Sequence, residues 1–162
     1  MKALLQRVLK ASVSVEGEVV GRIGPGLVVL LGVAASDDSE DAQYLADKTA
    51  NLRIFSDDDG KFNLSIRDVR GEILVVSQFT LLAGTRKGRR PSFTDAAPPE
   101  QAEQLVEHFV DLLRSGELHV ETGQFQKHML VEIHNNGPVT IPLDSSDRHK
   151  PRKASNSLKK HY

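Results

Sequence analysis

Ser77-Gln78-Phe79-Thr80 places three hydrogen-bonding side chains directly after the aliphatic run Ile73-Leu74-Val75-Val76. A buried strand that ends in such groups sets them at the rim of a core, where pockets form. Alternation along a strand aims Ser77 and Phe79 at one face and Gln78 and Thr80 at the other. A hydroxyl here is a candidate nucleophile, yet no neighbouring residue supplies the base that Thr80 would need. These residues read equally well as a strand end solvating its last turn. Gly137-Pro138 is the second point of interest. Glycine tolerates unusual backbone angles and X–Pro bonds are where cis peptides occur, so such a turn can offer bare N–H and C=O groups to a ligand. An ordinary hairpin turn explains it as well. The third is Arg86-Lys87-Gly88-Arg89-Arg90, a compact basic cluster of the kind that positions phosphates, or a solvated loop.

Several other chemistries are excluded. The chain has no cysteine, hence no disulfide, no thiolate nucleophile and no Cys-ligated zinc. It carries no Gly-x-x-x-x-Gly-Lys-Ser/Thr loop and no Gly-x-Gly-x-x-Gly after a strand. Neither Gly-x-Ser-x-Gly nor His-Glu-x-x-His occurs. His108, His119, His128, His134, His149 and His161 lack metal-ligand spacing, and Asp57-Asp58-Asp59-Gly60 lacks the register of a calcium loop, so it reads as a turn. No metal and no cofactor is expected.

The elements that must position these residues follow from periodicity. Residues 3–15 and 18–23 read as strands, and Leu27-Val28-Val29-Leu30-Leu31 as a strand covered on both faces. Ser36-Asp37-Asp38 offers caps for a helix over residues 39–52, with Ala42, Leu45, Ala46 and Thr49 along one side. A hairpin-like segment fills residues 53–64. Pro98-Pro99 opens a second helix with a stripe of Ala102, Leu105, Val106, Phe109, Leu112 and Leu113, ended by Gly116. Strands over residues 129–133 and 139–143 close the domain, with Asn135-Asn136-Gly137-Pro138 as the turn between them. The expectation is one α/β domain of the α+β type, a single curled β-sheet or barrel with two main helices.

The 162 residues carry a net charge of −1, unevenly spread. From Ser145 onward, Arg148, Lys150, Arg152, Lys153, Lys159 and Lys160 face Asp147 alone, a net of +5 that leaves −6 on the rest. Residues 146–162 are expected to form a basic, disordered tail suited to a polyanion. No apolar run is long enough to span a membrane and the start is no secretory signal, so a cytoplasmic protein is expected.

Taken together, four segments resemble the D-aminoacyl-tRNA deacylase (D-tyrosyl-tRNA(Tyr) deacylase) family. They are Ser77-Gln78-Phe79-Thr80-Leu81, Lys87-Gly88-Arg89-Arg90-Pro91-Ser92-Phe93, Ala97-Pro98-Pro99-Glu100 and Asn136-Gly137-Pro138-Val139-Thr140. Gln6-Arg7-Val8 and Gly24-Pro25-Gly26-Leu27 match as well. The family usually has an acidic residue where this chain has Asn136. The resemblance covers residues 1–145 and implies a deacylase domain there. It implies a homodimer whose active sites lie at the interface, with 77–80 of one subunit beside a cis Gly137-Pro138 of the other. Arg7 matches the arginine that fixes that bond, and Ala102, Phe125 and Met129 fall where the family lines the pocket for the terminal adenosine and aminoacyl group. The implied reaction is hydrolysis of the ester between a D-amino acid and the 3′ end of tRNA. Ser77, Gln78, Phe79 and Thr80 would be catalytic, and Arg86, Lys87, Arg89 and Arg90 would meet tRNA phosphates. Two other readings compete: a Ser/Thr-nucleophile esterase, and an RNA-binding module without turnover. The chain lacks the aromatic sheet motifs of common RNA-binding modules, which weighs against the latter.

Overall fold

Two continuous aliphatic segments organise the sheet of this computed structural model, which describes residues 1–151. The chain runs β1 (Lys2–Val15), β2 (Glu18–Ile23), β3 (Gly26–Gly32), α1 (Ser39–Asn51), β4 (Phe55–Ser56), β5 (Phe62–Leu64) and β6 (Glu72–Ser77). A 3-10 turn (Phe79–Leu82), α2 (Pro99–Ser115), β7 (His119–Thr122), β8 (Leu130–Asp144) and a second 3-10 turn (Ser145–His149) follow. The aliphatic β3 and β6 pair in parallel, and β6 pairs in parallel with β7. Parallel neighbours need crossovers, and α1 and α2 supply them.

The long β1 is antiparallel to everything it touches. Its first half pairs with β3, its second half with β2, and β8 runs along its other edge. Residues alternate between faces along a strand, so each face needs its own cover. Ala3 and Leu5 join Leu27, Val29, Leu31, Ile73 and Val75 in a core under the helices, anchored by the fully buried Phe109 of α2. Val8, Ala11 and Val13 instead join Val28, Leu74 and Val76 in a second core on the other face. The sheet curls around this second core, so the expected curled sheet with two helices is what forms.

Two elements differ from the sequence reading. Strand β7 escaped it, because in His119-Val120-Glu121-Thr122 only Val120 is buried and the polar residues mask the period. The expected pair of strands at 129–133 and 139–143 is one strand, β8. Its pairing steps from Gln6↔Thr140 to Val8↔Asn135, so Arg7 alone stands opposite residues 136–139. Asn-Asn-Gly-Pro is therefore a bulge inside a strand rather than a turn between two.

The first residues of the stretch expected as a tail form a short element. Ser145–His149 is a 3-10 turn because Arg148 faces Asp38, Glu40 and Asp41 at the start of α1, while Asp144 accepts from the Ser146 N–H. Residues 152–162, where the rest of that expectation falls, lie outside the described residues.

Asp41 ties these parts together. Burial works to raise its carboxyl, but the Asp38 N–H, the Ser145 hydroxyl, the Met1 ammonium and Arg148 outweigh burial and hold it below the usual carboxylate range. A depressed value stabilises the fold above the unfolded pKa of about 4, and that contribution is lost as pH falls through the folded value. Asp41→Asn should therefore melt below wild type at pH 6, with a gap that narrows as pH falls to about 3. A gap of constant width in thermal melts would show that the charge contributes nothing.

Candidate functional site

Strands β3, β6 and β7 point the same way, and their carboxyl ends at Gly32, Ser77 and Thr122 lie side by side. In sheets of this kind ligands bind beyond such ends. Here a cavity of about 520 Å³ opens between those ends and α2. Leu31 and Ser77 come from the strands, Val33 from just past β3, Pro99, Ala102 and Val106 from α2, and Phe125 and Gln126 from the loop before β8.

After Ser77 the chain leaves the strand. Gln78 still donates its N–H to Leu31 O at 2.7 Å, and then Phe79–Leu82 coils into the 3-10 turn. The close packing of this turn requires a glycine, since a Cβ on Gly32 would lie 2.5 Å from Leu82 Cδ2 and 2.9 Å from Gln78 O. The coil also breaks the expected alternation. Ser77, Gln78 and Phe79 all line the cavity, while Thr80 is exposed and outside it. The Thr80 hydroxyl accepts a hydrogen bond from Gln78 Nε2. No histidine, lysine or carboxylate pairs with that hydroxyl among the described residues. Phe79 and Thr80 open the turn, where backbone N–H groups have no partner within it.

The remaining expected residues divide. Ala102 and Phe125 line the cavity. Met129 does not: it packs on the second core, and a Cβ on Gly123 would lie 2.6 Å from its sulfur. Gly137 and Pro138 are exposed and line no wall of this cavity. Their peptide bond is cis, and Gly137 has φ +134°, a backbone conformation that other residues rarely adopt. Arg7 holds the bulge, donating from Nε to Asn136 O at 3.1 Å and from Nη1 to Ile54 O at 2.8 Å. Asn135 closes it, with Oδ1 accepting from the Val139 N–H at 3.0 Å and Nδ2 donating to Thr140 Oγ1 at 2.9 Å.

Arg86, Lys87, Arg89 and Arg90 sit on an exposed loop whose foot is a reciprocal backbone pair between Gly84 and Ser92. One residue beyond, Phe93 meets Phe79 edge to face with ring centroids 4.9 Å apart. From sequence Phe93 has no role beyond its motif, Pro99 is a helix start and Val106 part of an apolar stripe. All three line the cavity. A second cavity of about 390 Å³ adjoins the first through Ser77, Val106 and Phe125, and Glu103, Glu107 and Asp111 of α2 line it. Among the described residues no group of His, Cys, Asp and Glu gathers as a metal site, and no helix is long and apolar enough to cross a membrane.

Known proteins resemble this chain closely. The profile of a family described as D-Tyr-tRNA(Tyr) deacylase matches residues 4–144. A D-aminoacyl-tRNA deacylase of Dehalococcoides mccartyi is 62% identical over 152 residues, spanning 94% of this chain and 99% of that protein. One from Fervidobacterium nodosum is 58% identical over 145 residues, spanning 90% and 97%. Among solved structures, the c-Myc DNA Unwinding Element Binding Protein superposes with a TM-score of 0.84 at 44% identity, covering 89% of this chain and 98% of that one. A probable eukaryotic D-amino acid tRNA deacylase shares the fold, with a TM-score of 0.76 at 18% identity over 88% and 98%.

Removing the Arg7 guanidinium leaves the Asn136 carbonyl and the Ile54 carbonyl without their charged donor. Each such bond contributes about 1.5–3 kcal/mol. Arg7→Ala should lose about 2–4 kcal/mol in urea unfolding, with faster amide exchange at Val139 than at the β3 amides. Unchanged exchange at Val139 would show that Arg7 does not hold the bulge.

Proposed function

The chain belongs to the D-Tyr-tRNA(Tyr) deacylase family, and from that membership we propose how its residues divide the work. It is a D-aminoacyl-tRNA deacylase, a hydrolase that splits the ester between a D-amino acid and the 3′ end of tRNA. The observation that carries the assignment to a site is the cavity at the ends of β3 and β6, which gathers Ser77, Gln78 and Phe79 from the 77–80 motif with Ala102 and Phe125. The activity resides in residues 1–145, in the cytoplasm where charged tRNA is found.

The cavity takes the terminal adenosine and its ester. Water adds to the ester carbonyl carbon, the bond from that carbon to the ribose oxygen breaks, and the ribose oxygen takes up the proton. Free D-amino acid and tRNA leave. The N–H groups of Phe79 and Thr80 face the oxyanion that develops in this step, which is where preorganised donors count most. Thr80 is a weak choice for a covalent nucleophile, because its hydroxyl already accepts from Gln78 and has no base beside it. A ribose hydroxyl of the substrate helps to place the water. Thr80→Ala should therefore keep activity within about tenfold of wild type, and a trapped acyl-enzyme at Thr80 would overturn this.

Gly137 and Pro138 serve the second subunit of a homodimer. Their exposure, and their absence from the cavity of their own chain, support a role across an interface. Main-chain groups there occupy the space where an L side chain would project. Selection then works by rejection, so D side chains are broadly tolerated and glycine escapes the clash. Purified protein should release D-tyrosine but not L-tyrosine from tRNA, with measurable release of glycine. Release of both tyrosine enantiomers at similar rates would refute the selection scheme.

Sharing of the site has its own test. Ala102→Trp fills the cavity and Gly137→Val distorts the bulge, so each homodimer should be nearly inactive. Subunits reassorted at random should regain about a quarter of wild-type activity, because half the dimers then hold one intact site of two. No recovery, with exchange verified by mass, would place both parts in one subunit.

A further inference from the structure

Phe79 is 59% exposed on the single chain, one of few large apolar side chains so placed. It stands at the cavity mouth, and its ring is braced by Phe93 rather than free to fold away. The adjoining cavity is lined by Glu103, Glu107 and Asp111 of α2. The loop footed at Gly84 and Ser92, next to Phe93, carries Arg86, Lys87, Arg89 and Arg90. An RNA strand leaving the cavity is a polyanion, so the carboxylates of α2 repel it and the loop attracts it. The Phe79 ring lines the cavity and touches Phe93, next to the foot of that loop.

We propose that the exposed face of Phe79 is a stacking platform for the base of the nucleotide one step in from the RNA 3′ end, with its 3′ phosphodiester held toward the 86–90 loop. This rests on the reading of the cavity as the pocket of the terminal adenosine. An aromatic ring accepts any base, because every base has a π face, and the contact is therefore tolerant of sequence. Phe93 is the positioning residue: it fixes the angle of the platform and links it to the foot of the basic loop.

Three D-tyrosyl esters separate the contributions: adenosine alone, an abasic nucleotide joined to adenosine, and cytidylyl-adenosine. For wild type, kcat/KM should rise from the first to the second through the phosphate, and again about tenfold from the second to the third through the base. In Phe79→Leu, which keeps the backbone N–H, the second gain should vanish whatever the absolute rate on adenosine. A base-dependent gain that survives in F79L, or is absent from wild type, overturns the proposal. Failure to cleave all three esters would overturn the cavity reading itself, and the proposal with it.

A measurement on wild type alone guards against a variant that does not fold. A non-cleavable D-tyrosyl amide of a dinucleotide with 2-aminopurine at the inner position should lose fluorescence on binding. Binding with undiminished fluorescence would show that the base is not stacked.

Discussion

The bonds from Arg7 to the carbonyls of Asn136 and Ile54 are the constraint on which the rest of β8 depends. Two strands that pair residue for residue stay in register only if neither carries extra length. Between Gln6 and Val8, β8 has four residues where β1 has one. Such a bulge frees backbone groups from the ladder, and they need partners from elsewhere. Arg7 occupies the single position opposite, and its fork of donors is long enough to reach the Asn136 carbonyl. The Asn135 side chain satisfies the Val139 N–H from within the bulge. Once both are in place, β8 resumes its pairing at Thr140, and Val139, Ile141 and Leu143 reach the helix-side core.

The cavity has a different origin, in the way two cores share one sheet. Alternation sends Val28, Leu74 and Val76 into the curl of the sheet and Val29, Leu31, Ile73 and Val75 under the helices. Ser77 continues the second series, so the strand places it beneath α2 by parity alone. It lies just past the last apolar layer. Phe109, Val110 and Leu113 seat the C-terminal half of α2 firmly, whereas near its start Pro99, the small Ala102 and the partly exposed Val106 face the cavity. Small side chains at that level leave the space that larger ones fill lower down. A cavity results where the hydrophobic layers of strand and helix stop matching.

How much of this was legible in the sequence depended on whether a signal was local. The strands β3 and β6 announced themselves by unbroken aliphatic runs, and α2 by its stripe and its prolines. Ser77-Gln78-Phe79-Thr80 could be located but not correctly aimed. The turn into a 3-10 coil after Ser77 depends on Gly32 in a neighbouring strand, a contact no window around residue 77 contains. Asn-Asn-Gly-Pro obeyed every local rule for a turn and still became part of a strand, since β1 continues past it on both sides. Resemblance alone points Met129 at the pocket, and the packing that sets it against the second core comes from strands distant in sequence. Phe93 had no local signal at all, because its importance lies in a ring 14 positions earlier in the chain.

Both halves of the proposed site share one property, which is that backbone does the work and side chains hold it still. Rejecting an enantiomer by a factor of about a thousand requires roughly 4 kcal/mol of difference between two otherwise equal ligands. A flexible wall would yield by a few tenths of an ångström and surrender most of that difference. Main chain fixed at several points yields least, and the bulge is fixed through Arg7 and Asn135 on either side of Gly137. Glycine at that point keeps the wall bare: a Cβ there would lie 2.8 Å from Val139 Cγ2 and 3.1 Å from Arg7 Nη2. Val139 and the backbone angle of +134° thus disfavour any larger residue at the apex, and Arg7 narrows the space further. Stiffness at residue 137 comes from Arg7 and Asn135, and bareness from the backbone angle, Val139 and Arg7 together.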